Sequence, residues 1–161
     1  MRRLAVAAVV LGFLAACQPA TTEFTEEQRA AVADTVRQLA DTFFDDFKAL
    51  DFDRAMAPYA DDLVWAESGV VGANRDSLET AWRGVFALFR EVTAGEWTEV
   101  HIEVLGPDAA AFTASFDWAG VDTSGAQVGG SGAWTTVWQR TAEGWKIVQG
   151  HESYLPAPES M

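Results

Sequence analysis

The chain has 161 residues, enough for one domain with a sizeable core, and 12% of them are aromatic, including seven tryptophans. A formal net charge of −13 argues against a nucleic-acid or phosphate partner, because so acidic a surface repels both phosphate and anionic headgroups. The tryptophan count suits either a heavily aromatic core or an aromatic-lined pocket, since each indole buries a large apolar area and seeks a partner for its N–H.

At the N-terminus, Arg2 and Arg3 precede an apolar run over residues 4–14, and small residues follow in "LAAC", ending at Cys17. That is the three-part plan of a secretory signal peptide, here residues 1–16, and the run is shorter than the roughly 20 residues of a transmembrane span. "LAAC" resembles the bacterial lipobox, which implies that Cys17 carries a lipid and becomes the new N-terminus. Cys17 is the single cysteine of the chain, so it has no intramolecular disulfide partner. Cleavage before it removes two arginines and leaves nine basic residues against 24 acidic ones, a net charge of −15. The lipid, not a basic patch, would then hold the protein at a membrane. Gln18 in place of an aspartate after the cysteine favours, by the same resemblance, the outer membrane of a Gram-negative host, facing the periplasm.

Residues 17–24 read as a tether. "TEEQ" at 25–28 has the form of a capping box, and behind it Val32, Val36, Leu39, Phe43, Phe47 and Leu50 recur at helical spacing. Asp51 caps a second, short helix through Met56, which Pro58 limits. "DDLVWAES" at 61–68 predicts a first strand, closed by the glycines at 69 and 72. Asn74 or Asp76 caps a third helix, with Leu78, Trp82, Phe86 and Phe89 on its buried face and Gly95 as its stop. From Trp97 the pattern turns to period two. Val100, Ile102 and Val104 alternate with Glu99, His101 and Glu103, and "GPD", "VDTSG" and "TAEG" separate the later strands. "GGSG" at 129–132 reads as a flexible hairpin approach or a bulge, and residues 156–161 read as a frayed tail. Helices followed by a run of antiparallel strands define an α+β plan.

Three segments, "YADDLVW" at 59–65, "VVGANRDSLETAW" at 70–82 and "WTTVWQRTAEGWKIVQGHES" at 134–153, together resemble the SnoaL-like branch of the nuclear transport factor 2-like superfamily. The resemblance covers about residues 26–155 and implies one domain at 25–155: a cone of three helices packed in a strongly curved, mostly antiparallel sheet, with a pocket at the wide end. Many such proteins dimerise through the outer sheet face. The superfamily contains steroid isomerases, polyketide cyclases, dehydratases and members that only bind small molecules, so the chemistry must come from the site.

Strand alternation places Trp145, Ile147, Gln149, His151 and Ser153 on one face, so His151 is expected to point into the concavity as a general base or as a hydrogen-bonding partner of a ligand. A histidine bonded to backbone or carboxylate at the strand end, or one that only binds a ligand, is favoured over the catalytic base. Trp65 and Glu67 share a face of the first strand, as wall and rim. Asp117, between Phe116 and Trp118, is either a carboxylate raised by apolar surroundings or, with the better support, an outer-face residue beside Thr113 and Ser115. The expected pocket is lined by Trp65, Trp82, Phe86, Trp118, Trp145 and His151 and takes a small, largely apolar molecule. An isomerase, cyclase or dehydratase with His151 as base, paired with Asp117 or Glu67, is the alternative. Neither tyrosine, Tyr59 or Tyr154, stands where it obviously completes an oxyanion hole. No cofactor is implied. A metal site is disfavoured, because His101 and His151 lie three strand spacings apart in a meander, about 14 Å. Trp134 and Trp138 oppose Ala133, Thr135 and Val137, so one of these two faces is the candidate dimer surface and the other the pocket or core. That outer face is also where an envelope partner would dock, the third reading.

Overall fold

The computed structural model describes residues 24–156; the expected signal peptide, Cys17, the expected tether up to residue 23 and the expected tail from residue 157 lie outside the described residues. Helix α1 spans Glu26–Lys48 and α2 spans Phe52–Met56. Strands β1 (Tyr59–Glu67) and β2 (Val70–Ala73) form a hairpin, and α3 (Arg75–Phe86) follows. Four long strands complete the chain: β3 (Phe89–Gly106), β4 (Ala109–Asp122), β5 (Gln127–Thr141) and β6 (Gly144–Tyr154).

The helix starts are chemically specified. Thr25 and Gln28 form both halves of the capping box, with Gln28 N donating to Thr25 Oγ1 at 3.2 Å and Thr25 N to Gln28 Oε1 at 2.9 Å. Asp51 accepts from Arg54 N and caps α2, while Arg54 Nη2 reaches back to the buried Asp46 of α1 at 2.9 Å. Asn74, at φ 74°, caps α3 by accepting from Ser77 N. Of the predicted stripe of α1, Val32, Val36 and Phe43 are buried and Leu39 and Phe47 partly buried, with Ala40 and Phe44 buried beside them, while Leu50 lies past the helix end.

The sheet has six strands in the order β2-β1-β6-β5-β4-β3. It is mixed: β1 runs parallel to β6, and every other neighbouring pair is antiparallel. Register shifts at four places in the β3–β4 pairing mark bulges, which bend and twist a strand. One of them, between Trp97 and Glu99, lets Trp97 share the inner face with Val100, Ile102 and Val104.

Two expectations need correction. The third helix ends at Phe86, and Phe89 opens β3, so Gly95 is not a helix stop. It lies inside β3, and the ring of Phe44 stands 3.0 Å from where its Cβ would be. Glycine is there because α1 approaches the strand closely. Likewise "GGSG" is neither a loop nor a bulge: it pairs with β4 in unbroken register, Gly130 opposite Trp118 and Gly132 opposite Phe116.

The core has a closed end and an open end along the strands. At the closed end Phe112, Trp138, Ile147, Met56 and Leu63 are completely buried. Trp138 donates its indole N–H to the buried Thr136 hydroxyl at 2.9 Å, and the Arg140 guanidinium caps Trp145 at 4.8 Å. At the open end the side chains no longer fill the space.

Candidate functional site

The open end is a cavity of about 240 Å³. Helix α1 contributes Phe43, Phe44 and Phe47, and α3 contributes Trp82 and Val85. Phe89 and Trp97 come from β3, Phe116 and Trp118 from β4, and Trp134 from β5. Trp134 is stacked between Phe43 (4.8 Å, 12°) and Trp97 (5.4 Å, 9°), an arrangement that fixes one wall. The space exists because the inner face of β5 reads Trp138, Thr136, Trp134, Gly132, Gly130 toward the open end. A Cβ on Gly132 would overlap the Ser153 carbonyl and the Phe116 ring. The glycines therefore make room for the β4 aromatics to lie across β5.

Among the described residues, the carboxyl and hydroxyl groups lining this cavity are those of Glu67, Glu152 and Tyr154. Glu67 of β1 and Glu152 of β6 are register partners on adjacent strands, about 4.8 Å apart in backbone. Tyr154 donates its hydroxyl to Glu152 Oε1 at 2.8 Å. Tyr154 is 45% exposed and its ring packs edge-on against Phe116, so it stands at the mouth. Burial pushes the Glu152 carboxyl up to about 7; the Tyr154 hydroxyl opposes this, and the Glu67 charge adds to it. Burial also raises Glu67. The Tyr154 phenol is held far above its ordinary value, first by burial and then by the Glu152 charge, and so remains a donor. Tyr59, fully enclosed behind the pair, is raised in the same way by burial and by the charges of Glu152 and Glu67.

His151 is placed differently from the expectation. Val137 pairs with Gln149 and Trp138 with Ile147, so Val148 is an extra residue in β6. This bulge reverses the alternation: Trp145 and Ile147 face the core, and beyond Val148 it is Gly150, Glu152 and Tyr154 that face inward. His151 is exposed and sits opposite Thr135, whose hydroxyl meets Thr113 on the outer face. It borders only a second space of about 20 Å³ near Trp65 and Tyr59. The polar end of β6 does line the pocket, but with its glutamate and tyrosine. A signal was available: Tyr154 has the opposite parity to Trp145, and both can face the core only if one residue is inserted between them.

Of the other expected lining residues, Trp82, Trp118 and Glu67 border the cavity. Phe86 turns away to pack against Phe47 and Phe52, and its neighbour Val85 takes the wall. Trp65 is a structural anchor: its N–H donates to Ser77 Oγ at 3.0 Å, tying β1 to the first turn of α3, and its ring leaves no room for a Cβ on Gly72. Trp145 belongs to the closed end. Asp117 is exposed and accepts a hydrogen bond from Ser131 on the outer face, away from the cavity. Trp134, with Thr136 and Trp138, faces inward, which makes Ala133, Thr135 and Val137 the outer face of β5.

A curved sheet closed over helices, with an aromatic cavity at one end holding a few convergent polar groups, is compatible with small-molecule binding or with isomerase or dehydratase chemistry. Residues 36–158 match the SnoaL-like domain family, and the chain belongs to it. Among proteins of curated function no sequence match is found. Solved structures share the architecture. A nuclear transport factor 2-like superfamily protein from Salmonella enterica is 16% identical, with a TM-score of 0.69 over 82% of this chain and 96% of that one. A protein provisionally assigned as a scytalone dehydratase, from Novosphingobium aromaticivorans, is 9% identical with a TM-score of 0.75 over 85% and 93%. A protein of unknown function from Pseudomonas putida is 19% identical with a TM-score of 0.68 over 81% and 91%. At such identities the likeness establishes the nuclear transport factor 2-like fold.

Proposed function

We propose that this SnoaL-like domain binds a small, largely apolar molecule in the open-end cavity, and that the protein is held at the bacterial envelope by a lipid on Cys17, facing the periplasm. The observation that carries the binding reading is the cavity itself, aromatic on every side and polar at one place. A largely apolar space of this kind offers dispersion and desolvation to a ligand, while Glu67, Glu152 and Tyr154 fix its orientation. The test is titration with N-phenyl-1-naphthylamine, an uncharged fluorophore. Saturable enhancement at micromolar concentration, weakened at least about fivefold by Trp118→Ala, is expected; the absence of saturable enhancement overturns the reading. For the anchor, incorporation of a palmitate analogue that is lost in Cys17→Ser is expected, and unchanged labelling would refute it.

A second reading is favoured by one observation, the Glu152 carboxyl poised at about 7 beside a tyrosine hydroxyl. A group with that midpoint can take and return a proton near neutrality. An isomerase or dehydratase of this fold would then use Glu152, with Glu67 and Tyr154, in the place first assigned to His151. Once a substrate is found, Glu152→Gln abolishes turnover and His151→Ala leaves it intact; the reverse result would reinstate the histidine.

A further inference from the structure

We propose that the cavity selects a lipophilic amine in its protonated form, with the ammonium group set between Glu67 and Glu152 and the hydrocarbon body against Phe47, Trp118 and Trp134. The inference deepens the binding reading above and rests on it. Its ground is a mismatch of charge within an otherwise apolar space. Two carboxylates face the cavity from neighbouring strands, and among the described residues no lysine, arginine or histidine lines the cavity with them. The groups facing Glu152 are Glu67 and Tyr59 from β1 and Tyr154 from its own strand, while α1 and α3 present aromatic and aliphatic side chains. His151 meets the same two carboxylates only at the second space of about 20 Å³, so among the described residues no basic side chain neutralises the acids inside the cavity itself.

Two half-buried carboxylates without a cation beside them are costly, and the cost falls either on protonation or on a ligand that brings the missing charge. An ammonium group has three donors, enough to serve both carboxylates at once. The faces of the surrounding rings carry negative potential, which attracts a cation and repels an anion. The acidic balance of the chain adds a long-range pull of the same sign. A neutral ligand would leave the pair sharing a proton, and an anionic one would meet two like charges and the π faces together.

The experiment compares 1-naphthylmethylamine with 1-naphthylmethanol, two probes of nearly one shape that differ in charge, by calorimetric titration of the domain at pH 5.5 and 8. The amine stays protonated at both values, whereas the Glu152 carboxyl, poised at about 7, does not. Expected is an amine that binds about tenfold more tightly than the alcohol at pH 8, an advantage that shrinks at pH 5.5. In Glu67→Gln with Glu152→Gln the advantage falls to within about twofold, while alcohol binding persists and shows that the cavity is intact. An alcohol that binds as well as the amine at pH 8 overturns the amine assignment and leaves the cavity reading standing. Binding of neither probe overturns both. An amine advantage that survives the double variant also refutes the proposal, since the carboxylates would then not be its source.

Discussion

The two ends of the same sheet are built from the same strands and behave oppositely. At the closed end each inward position is filled: Trp138 is wholly buried with its N–H on Thr136, and Phe112 and Ile147 close over it. At the open end β5 offers glycine inward, the indole N–H of Trp97 is buried with no partner, and two carboxyls face a hollow. The first end satisfies the usual demands of a core, namely dense packing and paired polar groups. The second leaves both unmet. Stability is concentrated where packing is complete, and the open end carries the features that packing alone would have removed.

The largest effect should come from breaking the closed end. Trp138→Ala is expected to cost about 3–5 kcal/mol, because it opens a cavity and strands the Thr136 hydroxyl. The same truncation at Trp118, half-buried on the cavity wall, should cost only about 1–2 kcal/mol. Urea denaturation of both variants checks the contrast, and equal losses would mean that the open end is core after all.

The next effect is electrostatic. The folded midpoint of Glu152, about 7, lies above the ordinary carboxylate value it has when unfolded. The folded state therefore holds the proton more tightly. The stabilisation is fully present at acidic pH and is lost as pH rises from the ordinary carboxylate value through about 7. The whole change is worth up to about 3 kcal/mol, and the raised Glu67 acts in the same direction. Glu152→Gln should remove this component, so that the variant gains on the parent between pH 5 and pH 8 in thermal or urea midpoints. A constant difference across that range would show that Glu152 titrates like a solvated acid.

Gly132→Ala sharpens the comparison from the backbone side. The added methyl meets the Ser153 carbonyl and Phe116, and an expected loss of about 1–3 kcal/mol should come with weaker probe binding as Phe116 is pushed into the hollow. If the variant is neutral in both respects, the glycines of β5 are not what makes the space.

How much of this could be read in advance follows the same division. The helices declared themselves locally: Thr25 with Gln28, Asp51 and Asn74 are caps whose partners lie three residues away, and the α1 stripe needs only its own period. The family order of segments carried the fold, and the apolar alternation of β3 from Val100 and of β4 was sound. The site was less legible, because it depends on features that alternation assumes away. One extra residue at Val148 exchanges His151 for Glu152, and the choice between the faces of β5 rests on its pairing with β4 and β6. The role of "GGSG" appears only once Trp118 and Phe116 are seen across the strand from it. Asp117 and Glu67 both sit on strands among apolar neighbours, and it is the face each strand turns to the helices that separates a surface acid from a cavity acid.

The smallest expected effect is also the most specific to the open end. Tyr154 is 45% exposed, so Tyr154→Phe keeps the ring against Phe116 and should change stability by only about 0–1 kcal/mol. What it removes is the O–H that favours the ionised form of Glu152. Without that donor the Glu152 midpoint must rise above its present value of about 7. A carbon-13 titration of the glutamate carboxyls, compared between parent and variant, reads this directly. The shift also has a consequence for binding: a protonated amine should need a higher pH to reach its full affinity in Tyr154→Phe, while the uncharged alcohol keeps the same affinity. A midpoint that stays in place, or moves down, would mean that the hydroxyl does not act on Glu152 in solution. The tyrosine would then be part of the mouth and no part of the proton-handling group.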